Sequence, residues 1–357
     1  MPAINPLRVR AAEIASSLDD RLLAAQVLIS GVDGRGRLTP GMTDLLSEYP
    51  PGGLMFFRFN LNTSNDEILS FINEIVSLVG EKSGIPPFIA VDHEGGTVMR
   101  FAPGVADLPE AAFYWRLFQA EGKEAALEKI EADSFRSGAQ INALGFNMNF
   151  APVAEHLNDD NRDFLWSRSY GPDPVFAAEA SAAFVRGMER AGVLCVIKHF
   201  PGSAGPDPHY SPSVLKGDRE ALDELAYPFA RLINKGYARA IMAAHSAMPA
   251  IDSKIASLSS IVMEGWLRGE LGFDGIIISD DFIMAAAGGQ SPEEAAVQSI
   301  IAGADMILVW PRDFIHTHRA IISALEEQRL SRERLKEAVK RIVYEKLRMG
   351  IKPFCEL

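Results

Sequence analysis

The chain has 357 residues, 48% of them hydrophobic, and a formal net charge of −12. This composition permits a large buried core and argues against a broad nucleic-acid surface. Its two cysteines, Cys195 and Cys355, cannot form a disulfide framework, so a reducing compartment is expected. Residues 1–20 contain no apolar leader stretch, and no run approaches the roughly 18 apolar residues of a membrane span. We therefore expect a cytoplasmic protein without nucleic-acid or membrane partners.

Eight short apolar runs recur along the chain, each followed by a polar or glycine-rich turn and a helical pattern. Continuous rather than alternating apolarity is typical of strands buried on both faces of a parallel sheet. The runs are 24–31, 53–57, 87–92, 146–153, 193–200, 240–245, 275–281 and 305–310. They predict an α/β fold, a single-domain (β/α)₈ TIM-type barrel over 1–357. Residues 1–20 would be an N-terminal extension, and 331–357 a C-terminal helix and tail.

Polar residues follow the third and fourth runs. Asp92 ends "PFIAVD" and would lie at the barrel mouth, although an aspartate that caps the next helix is an alternative. About fifty residues then precede the fourth run, and we expect them to hold the third helix and an extended loop. After the fourth run, Arg168 is a better candidate for ligand binding than Arg162, which a solvated surface would explain.

Lys198 and His199 end the fifth run, and a segment rich in proline and glycine then carries Asp207 and His209. Consecutive strand residues point to opposite faces, so Lys198 and His199 could share a ligand only where the strand breaks up. A lysine after an apolar run must find an anion or another hydrogen-bonding partner. An extended loop would place Asp207 beside His209 as a proton donor. An Asx turn with an exposed histidine is the alternative.

Two aspartates close the seventh run. Strand alternation sends Asp280 and Asp281 to different sides, so only one of them should face the barrel mouth. The carboxylate at the mouth could serve as a nucleophile, and Asp281 could cap the following helix. Further along the chain, Ser291 and Glu294 form the pattern of a capping box at the start of a helix.

Two other interpretations concern the fold and the chemistry. A doubly wound open sheet competes with the barrel, but only in a barrel do the ends of so many strands converge on one mouth. A metal-dependent hydrolase is suggested by four histidines, namely His93, His199, His209 and His245. That chemistry usually needs two histidines just after the first strand, and the first run has none. We therefore expect no metal and no cofactor.

Six blocks of the sequence resemble, in order, those of glycoside hydrolase family 3. They are "VDHEGGTVMRF", "NFAPV", "RSYGPDP", "IKHFPG", "IMAAHSAMPAID" with "ASLS", and "LRGELGFDGIIISDDFIM". The resemblance, strongest to single-domain bacterial β-N-acetylglucosaminidases, implies a retaining β-N-acetylhexosaminidase. It implies Asp280 as the nucleophile, His209 as the acid/base and Asp207 as the partner of that histidine. The sugar-binding residues that it implies are Asp92, Arg100, Arg168, Lys198 and His199.

The resemblance also implies the partners: a small glycoside or a muropeptide, as in the recycling of peptidoglycan. The chain departs from the family pattern in the loop "SAGPDPH", which is shorter by two residues and stiffened by prolines, and at His93 and Thr97, where glutamine and arginine are common. Two alternatives stay open. A histidine acid/base repels phosphate less than a carboxylate would, which suits a phosphorylase, and a shortened loop suits a non-catalytic sugar-binding barrel. We expect a monomer or a weak homo-oligomer.

Overall fold

The computed structural model describes residues 5–208, 210–283 and 289–354. Each of the eight apolar runs contains one strand of an eight-stranded parallel sheet. In chain order, the strands of the molecule are β1 Leu28–Gly31, β2 Gly53–Phe56, β3 Phe88–Val91, β4 Met148–Asn149, β5 Leu194–Phe200, β6 Ser213–Val214, β7 Ala240–Ala243, β8 Ser246–Met248, β9 Asp252–Ile255, β10 Ile276–Ser279 and β11 Ile307–Val309. All residues of β1, β2, β3, β5, β7 and β10 are buried, which explains their continuous apolarity.

The large sheet closes on itself. Its strand order is β10-β7-β5-β4-β3-β2-β1-β11, and the two end strands meet where Ile278 and Met306 form a parallel bridge. The amide of Met306 donates to the Ile277 carbonyl at 3.1 Å, and the Ser279 amide donates to the Met306 carbonyl at 3.0 Å. The predicted barrel is therefore confirmed, and the doubly wound open sheet is wrong.

Helices surround the barrel. They are α1 Pro6–Ser17, α2 Asp20–Gln26, α3 Pro40–Glu48, α4 Arg58–Leu61, α5 Asn65–Ser83, α6 Ala111–Glu121, α7 Lys123–Ala143, α8 Arg162–Leu165, α9 Pro174–Arg190, α10 Arg219–Asn234, α11 Pro292–Ala302, α12 Pro311–Glu326 and α13 Arg332–Arg348. The segment Ile261–Glu270 is π-helical, and Trp166–Arg168 and Ala256–Leu258 are 3₁₀ turns. Within the described ranges, no helix combines the length and apolarity needed to cross a membrane.

Local sequence sets several helix boundaries. Ser291 caps α11 by accepting a hydrogen bond from the Glu294 amide at 3.3 Å, as predicted. The long segment between β3 and β4 holds two helices instead of the one that we expected, because Gly122 separates α6 from α7. Its φ of 93° lies in a region that favours glycine. At the ends of the described chain, α1 packs against α13.

A small three-stranded sheet, which the sequence did not predict, anchors the segment after β5. In it β6 pairs with β8 in parallel, and β8 pairs with β9 in antiparallel fashion. Ser246 Oγ lies 2.8 Å from Ser213 Oγ and donates to the Gly202 carbonyl at 2.8 Å. Both ends of the loop that carries Asp207 are therefore tied to the residues after β7.

Candidate active site

A cavity of about 170 Å³ lies at the carboxyl ends of the barrel strands, and we call it the strand-end cavity. Its ionisable lining residues come from the end of β5 and from the loops that follow β3, β4, β7 and β10, which meet there because the strands are parallel. They are Asp92, Glu94, Arg100, Arg168, Lys198, His199, His245 and Asp280. The cavity thus brings together six of the eight residues that the sequence predicted for the site.

Five of these side chains form one network of ion pairs, the mouth cluster of Asp92, Glu94, Arg100, Arg168 and Lys198. Lys198 Nζ lies 2.8 Å from Asp92 Oδ1 and 2.7 Å from Glu94 Oε1. Arg168 donates two hydrogen bonds, of 2.8 and 2.9 Å, to the Glu94 carboxylate. Arg100 Nη2 lies 3.0 Å from Asp92 Oδ2. Lys198 therefore pairs with two carboxylates, in agreement with the prediction that it needs an anion or another hydrogen-bonding partner.

The network keeps the acids of the mouth cluster ionised. Burial alone raises the pKa of Asp92, but the cations of Lys198 and Arg100 outweigh it and hold the pKa below its ordinary value. Burial is likewise outweighed at Glu94, where Lys198 and Arg168 lower the carboxyl pKa. Burial lowers the pKa of Lys198, and the two carboxylates more than reverse this effect. The cavity therefore presents fixed charges of both signs.

Lys198 and His199 both line the strand-end cavity although they are adjacent on β5. The pairing of β5 with β7 shifts register between Ile197 and Phe200. The strand therefore loses its regular alternation at this point, which confirms the prediction that it breaks up here.

Glu155 connects His199 to the loop after β5, and the sequence analysis missed it. One carboxylate oxygen lies 2.7 Å from His199 Nδ1, and the other accepts hydrogen bonds of 2.6 Å from both the amide and the hydroxyl of Ser203. Burial raises the pKa of Glu155, but the bonds from His199 and Ser203 lower it below its ordinary value. Glu94 was missed as well, although both glutamates follow apolar runs within a few residues.

The two aspartates after β10 point to different places, as predicted. Asp280 lines the strand-end cavity, and its carboxylate accepts the Asp281 amide at 2.8 Å. The carboxylate of Asp281 instead accepts Trp310 Nε1 at 2.5 Å and the Ile283 amide at 2.9 Å, while burial raises its pKa. The residues that directly follow Ile283, at 284–288, lie outside the described residues, and so does the helix that Asp281 was predicted to cap.

His245 also lines the cavity, although it was not among the predicted site residues. Its Nδ1 lies 2.7 Å from Ser257 Oγ, its Nε2 lies 3.0 Å from the Asp281 carbonyl, and its ring stacks on Phe282. Burial lowers its pKa, so these contacts hold a neutral ring beside Asp280. Its position at the end of the sixth apolar run was the available signal.

The segment that carries Asp207 is a turn, so the extended loop that we expected is wrong. The amides of Tyr210 and Ser211 both donate to the Asp207 carbonyl, at 3.0 and 3.1 Å. Prolines and glycines favour such turns. Of this loop, Ser203 and Pro208 line the strand-end cavity. His209 lies outside the described residues.

Three further residues named from the sequence lie apart from the cavity lining. His93 is buried, with Nε2 2.8 Å from the Ala106 carbonyl and 2.9 Å from a serine hydroxyl, and burial lowers its pKa to about 4. Thr97 is exposed. Arg162 is exposed and pairs with Asp159, as a solvated surface predicts. In the described part of the chain, no three His, Cys, Asp or Glu side chains are grouped to hold a metal ion.

The chain is similar in sequence and in fold to known proteins. The profile described as "Glycosyl hydrolase family 3 N terminal domain" matches residues 23–344. The beta-hexosaminidase of Methylococcus capsulatus is 34% identical over 297 residues, which are 81% of this chain and 83% of the relative.

Two solved structures extend the comparison. A glycoside hydrolase family 3 beta-N-acetylglucosaminidase from Paenibacillus sp. FPU-7 superposes with a TM-score of 0.86 at 32% identity, over 94% of this chain and 63% of that one. NagZ from Neisseria gonorrhoeae, in complex with N-trifluoroacetyl-D-glucosamine, gives 0.74 at 27% identity over 89% of both chains.

Proposed function

The chain belongs to glycoside hydrolase family 3 and is a glycosidase, and we propose that it releases terminal, non-reducing β-linked N-acetylglucosamine with retention of configuration. The observation that carries this proposal is the position of Asp280, whose carboxylate lines the same cavity as the five predicted sugar contacts. The names of the relatives, beta-hexosaminidase and beta-N-acetylglucosaminidase, support the sugar.

In the proposed first step, a carboxylate oxygen of Asp280 bonds to the anomeric carbon while the bond from that carbon to the leaving oxygen breaks. The departing electron pair takes a proton from the His209 imidazolium, which becomes neutral. In the second step, His209 removes a proton from water, the water oxygen bonds to the anomeric carbon, and the Asp280 carboxylate is released. The resemblance to the family supports both roles, and the position of Pro208 in the cavity wall supports delivery of the acid by this loop.

The mouth cluster would bind the sugar ring. Ionised Asp92 and Glu94 can accept hydrogen bonds from sugar hydroxyls, and Lys198, Arg168 and Arg100 can donate to sugar oxygens. Since each charged group is already held by its partners, the cluster is ordered before the sugar arrives, which reduces the entropic cost of binding. Asp207 would hold the imidazole of the acid/base in place.

We further propose that the natural donor is a peptidoglycan fragment and that the enzyme acts in the cytoplasm, with no cofactor. Among the described residues no membrane-spanning helix is present. The relatives named beta-hexosaminidase support a hexosaminide donor. Digestion of purified muropeptides followed by mass spectrometry tests the donor, because loss of one N-acetylglucosamine unit per fragment is expected and unchanged fragments would contradict it.

The experiment that tests the mechanism is trapping with a fluorinated, activated β-N-acetylhexosaminide and mapping of the labelled peptide. We expect one label, on the peptide that contains Asp280, and none in Asp280→Asn. A label on a peptide without Asp280 overturns the assignment. Turnover of an aryl β-N-acetylglucosaminide with and without phosphate separates the alternatives. A sugar phosphate as the main product would identify a phosphorylase, and binding without turnover would identify a non-catalytic barrel.

A further inference from the structure

One buried carboxylate, that of Glu155, joins a residue of the strand-end cavity to the start of the loop after β5. Its Oε1 accepts hydrogen bonds from the amide of His199 at 3.3 Å and from Nδ1 of the same residue at 2.7 Å. Its Oε2 accepts bonds of 2.6 Å from both the amide and the hydroxyl of Ser203. Because an ionised carboxylate only accepts, all four partners donate. The side chain of Glu155 is 2% exposed, so water does not compete for these bonds.

Ser203 has empty space on more than one side. It lines the strand-end cavity, and it also lines a second cavity of about 220 Å³, together with Ala204, Leu215 and Leu225. Of the described residues, Ser203 is the one that belongs to both linings. A residue between two cavities lacks the close packing that fixes most buried side chains. The hydrogen bonds to Glu155 therefore set the position of Ser203.

The loop that begins at Ser203 is short and has little freedom. The Gly205 amide donates to the Asp160 carbonyl at 2.7 Å, and Pro208, five residues after Ser203, lines the strand-end cavity. Pro206 and Pro208 both restrict the backbone between these points. A displacement of Ser203 is therefore expected to move the cavity end of the loop as well.

We propose that Glu155 and Ser203 are positioning residues for the general acid, because they set the distance between the sugar contact His199 and the loop that carries His209. This proposal rests on the proposed function and deepens it. Neither residue exchanges a proton with the substrate, and both act through the loop. Loss of the Ser203 hydroxyl should therefore weaken protonation of the leaving oxygen and spare the attack by Asp280.

The choice of leaving group separates these two parts of the first step. The 2,4-dinitrophenolate ion is stable and departs without a proton, whereas phenolate needs a proton from the general acid. For both substrates, kcat/KM reports the events up to the first bond cleavage. An enzyme with a displaced acid should thus be slow on phenyl β-N-acetylglucosaminide and normal on the 2,4-dinitrophenyl compound.

The test measures kcat/KM of Ser203→Ala on both substrates. We expect about a tenfold fall for the phenyl compound and less than a twofold change for the dinitrophenyl compound. The fall is smaller than the whole contribution of a general acid, about 10²- to 10⁴-fold, because the Ser203 amide still donates to Glu155. The ratio of the two values does not depend on how much of the variant is folded. Equal losses on both substrates, or no loss, would overturn the proposal.

Two control variants sharpen the test. Ser203→Thr keeps a hydroxyl and should recover most of the phenyl activity, whereas a threonine variant as slow as Ser203→Ala would contradict the role of the hydroxyl. Ser134→Ala removes a buried hydroxyl that donates to the Ile130 carbonyl within α7 at 2.7 Å, and both activities should stay unchanged. If the unaltered enzyme cleaves neither substrate, the proposed function fails. If it cleaves both and Ser203→Ala leaves their ratio unchanged, only the positioning role fails.

Discussion

The barrel buries charge at both of its ends, and the two clusters differ in what surrounds them. At the carboxyl ends of the strands, the mouth cluster borders the strand-end cavity, where the side chain of Asp92 is 18% exposed. The opposite end holds the base cluster of Asp305, Arg268, Arg334 and Arg341, where the Asp305 side chain is wholly buried. Asp305 precedes β11, so it lies at the amino end of that strand.

The base cluster leaves no acceptor position for a ligand. One oxygen of Asp305 accepts bonds from Arg268 at 2.6 Å and from the Ile277 amide at 3.0 Å. The other oxygen accepts bonds from Arg334 at 3.1 Å and from Arg341 at 3.2 Å. Burial raises the pKa of Asp305, but the three arginines outweigh it and lower the pKa. Both carboxylate oxygens of Asp305 are therefore fully used by groups of the protein itself, and the base cluster is structural.

The largest effect that we expect is on stability, from Asp305→Asn. The substitution keeps the shape of the side chain but leaves three arginines without their shared anion, which should cost about 3–5 kcal/mol. Urea unfolding measures the loss, and kcat of the remaining folded enzyme should be unchanged. A large drop in kcat at full stability would mean that the base cluster acts on catalysis, contrary to the comparison.

At the mouth we expect the reverse, a loss of activity with a smaller loss of stability. Asp92→Asn removes a proposed sugar acceptor, and kcat/KM should fall about a hundredfold, which corresponds to about 3 kcal/mol. Stability should fall less than in the base variant, because the cavity lets solvent reach Arg100, whose side chain is 28% exposed. Steady-state kinetics and urea unfolding of the same preparation check both parts, and unaltered kinetics would contradict the assignment.

The stability of the protein should also depend on pH, through His93, which directly follows Asp92 of the mouth cluster. The pKa of His93 is about 4 in the folded chain because of burial, against 6.5 ordinarily. Between these values the unfolded chain binds the extra proton, so stability falls as the pH drops from 6.5 to 4, by about 2–3 kcal/mol. The lowered carboxyl pKa values of Glu94 and Asp305 cost stability only below about pH 4.5.

His93→Gln tests whether His93 causes the loss of stability between pH 6.5 and pH 4. The amide of glutamine can still donate to the Ala106 carbonyl, but it does not titrate. Unfolding free energies measured from pH 7 to pH 4 should decline less in the variant than in the unaltered protein. Parallel curves would show that another group causes the acid sensitivity.

The smallest effect should come from Arg162→Ala. Arg162 and Asp159 form an exposed ion pair, with side chains 62% and 95% exposed, and such pairs contribute about 0–1 kcal/mol. We expect a change of less than about 0.5 kcal/mol in stability and no change in kcat. A clear loss of activity would mean that the site extends further along this loop than the strand-end cavity.

Much of the fold was predictable because buried parallel strands appear in a sequence as continuous apolar runs. The ends of those runs also predicted the meeting of Asp92, Lys198 and Asp280, since parallel strands of a barrel end at one mouth. Ser291 was identifiable as a cap because its partner is three residues away. These features depend on short stretches of sequence or on the general geometry of the barrel.

The remaining features depend on contacts between distant residues. Arg168 and Glu94 are 74 residues apart, and nothing near Glu94 in the sequence indicates which cation will hold it. Glu155 was missed for the same reason, because His199 lies 44 residues further along. The turn at 207–211 depends on a choice between extended and folded backbone that proline and glycine both permit. The partners of Glu94 and Glu155 and the conformation of this turn are set by the tertiary fold, so the composition of the neighbouring sequence does not predict them.

The contacts of Asp305 bear on how the protein is completed during synthesis. A chain emerges from its amino end, so β11 and Asp305 are made before Arg334 and Arg341, which lie 29 and 36 residues later. Until α13 has been added, Arg268 is the one available arginine of the three. The end of the barrel that holds the base cluster can therefore form all of its ion pairs only after α13 has been translated. Until then, the carboxylate of Asp305 lacks two of its three arginine partners.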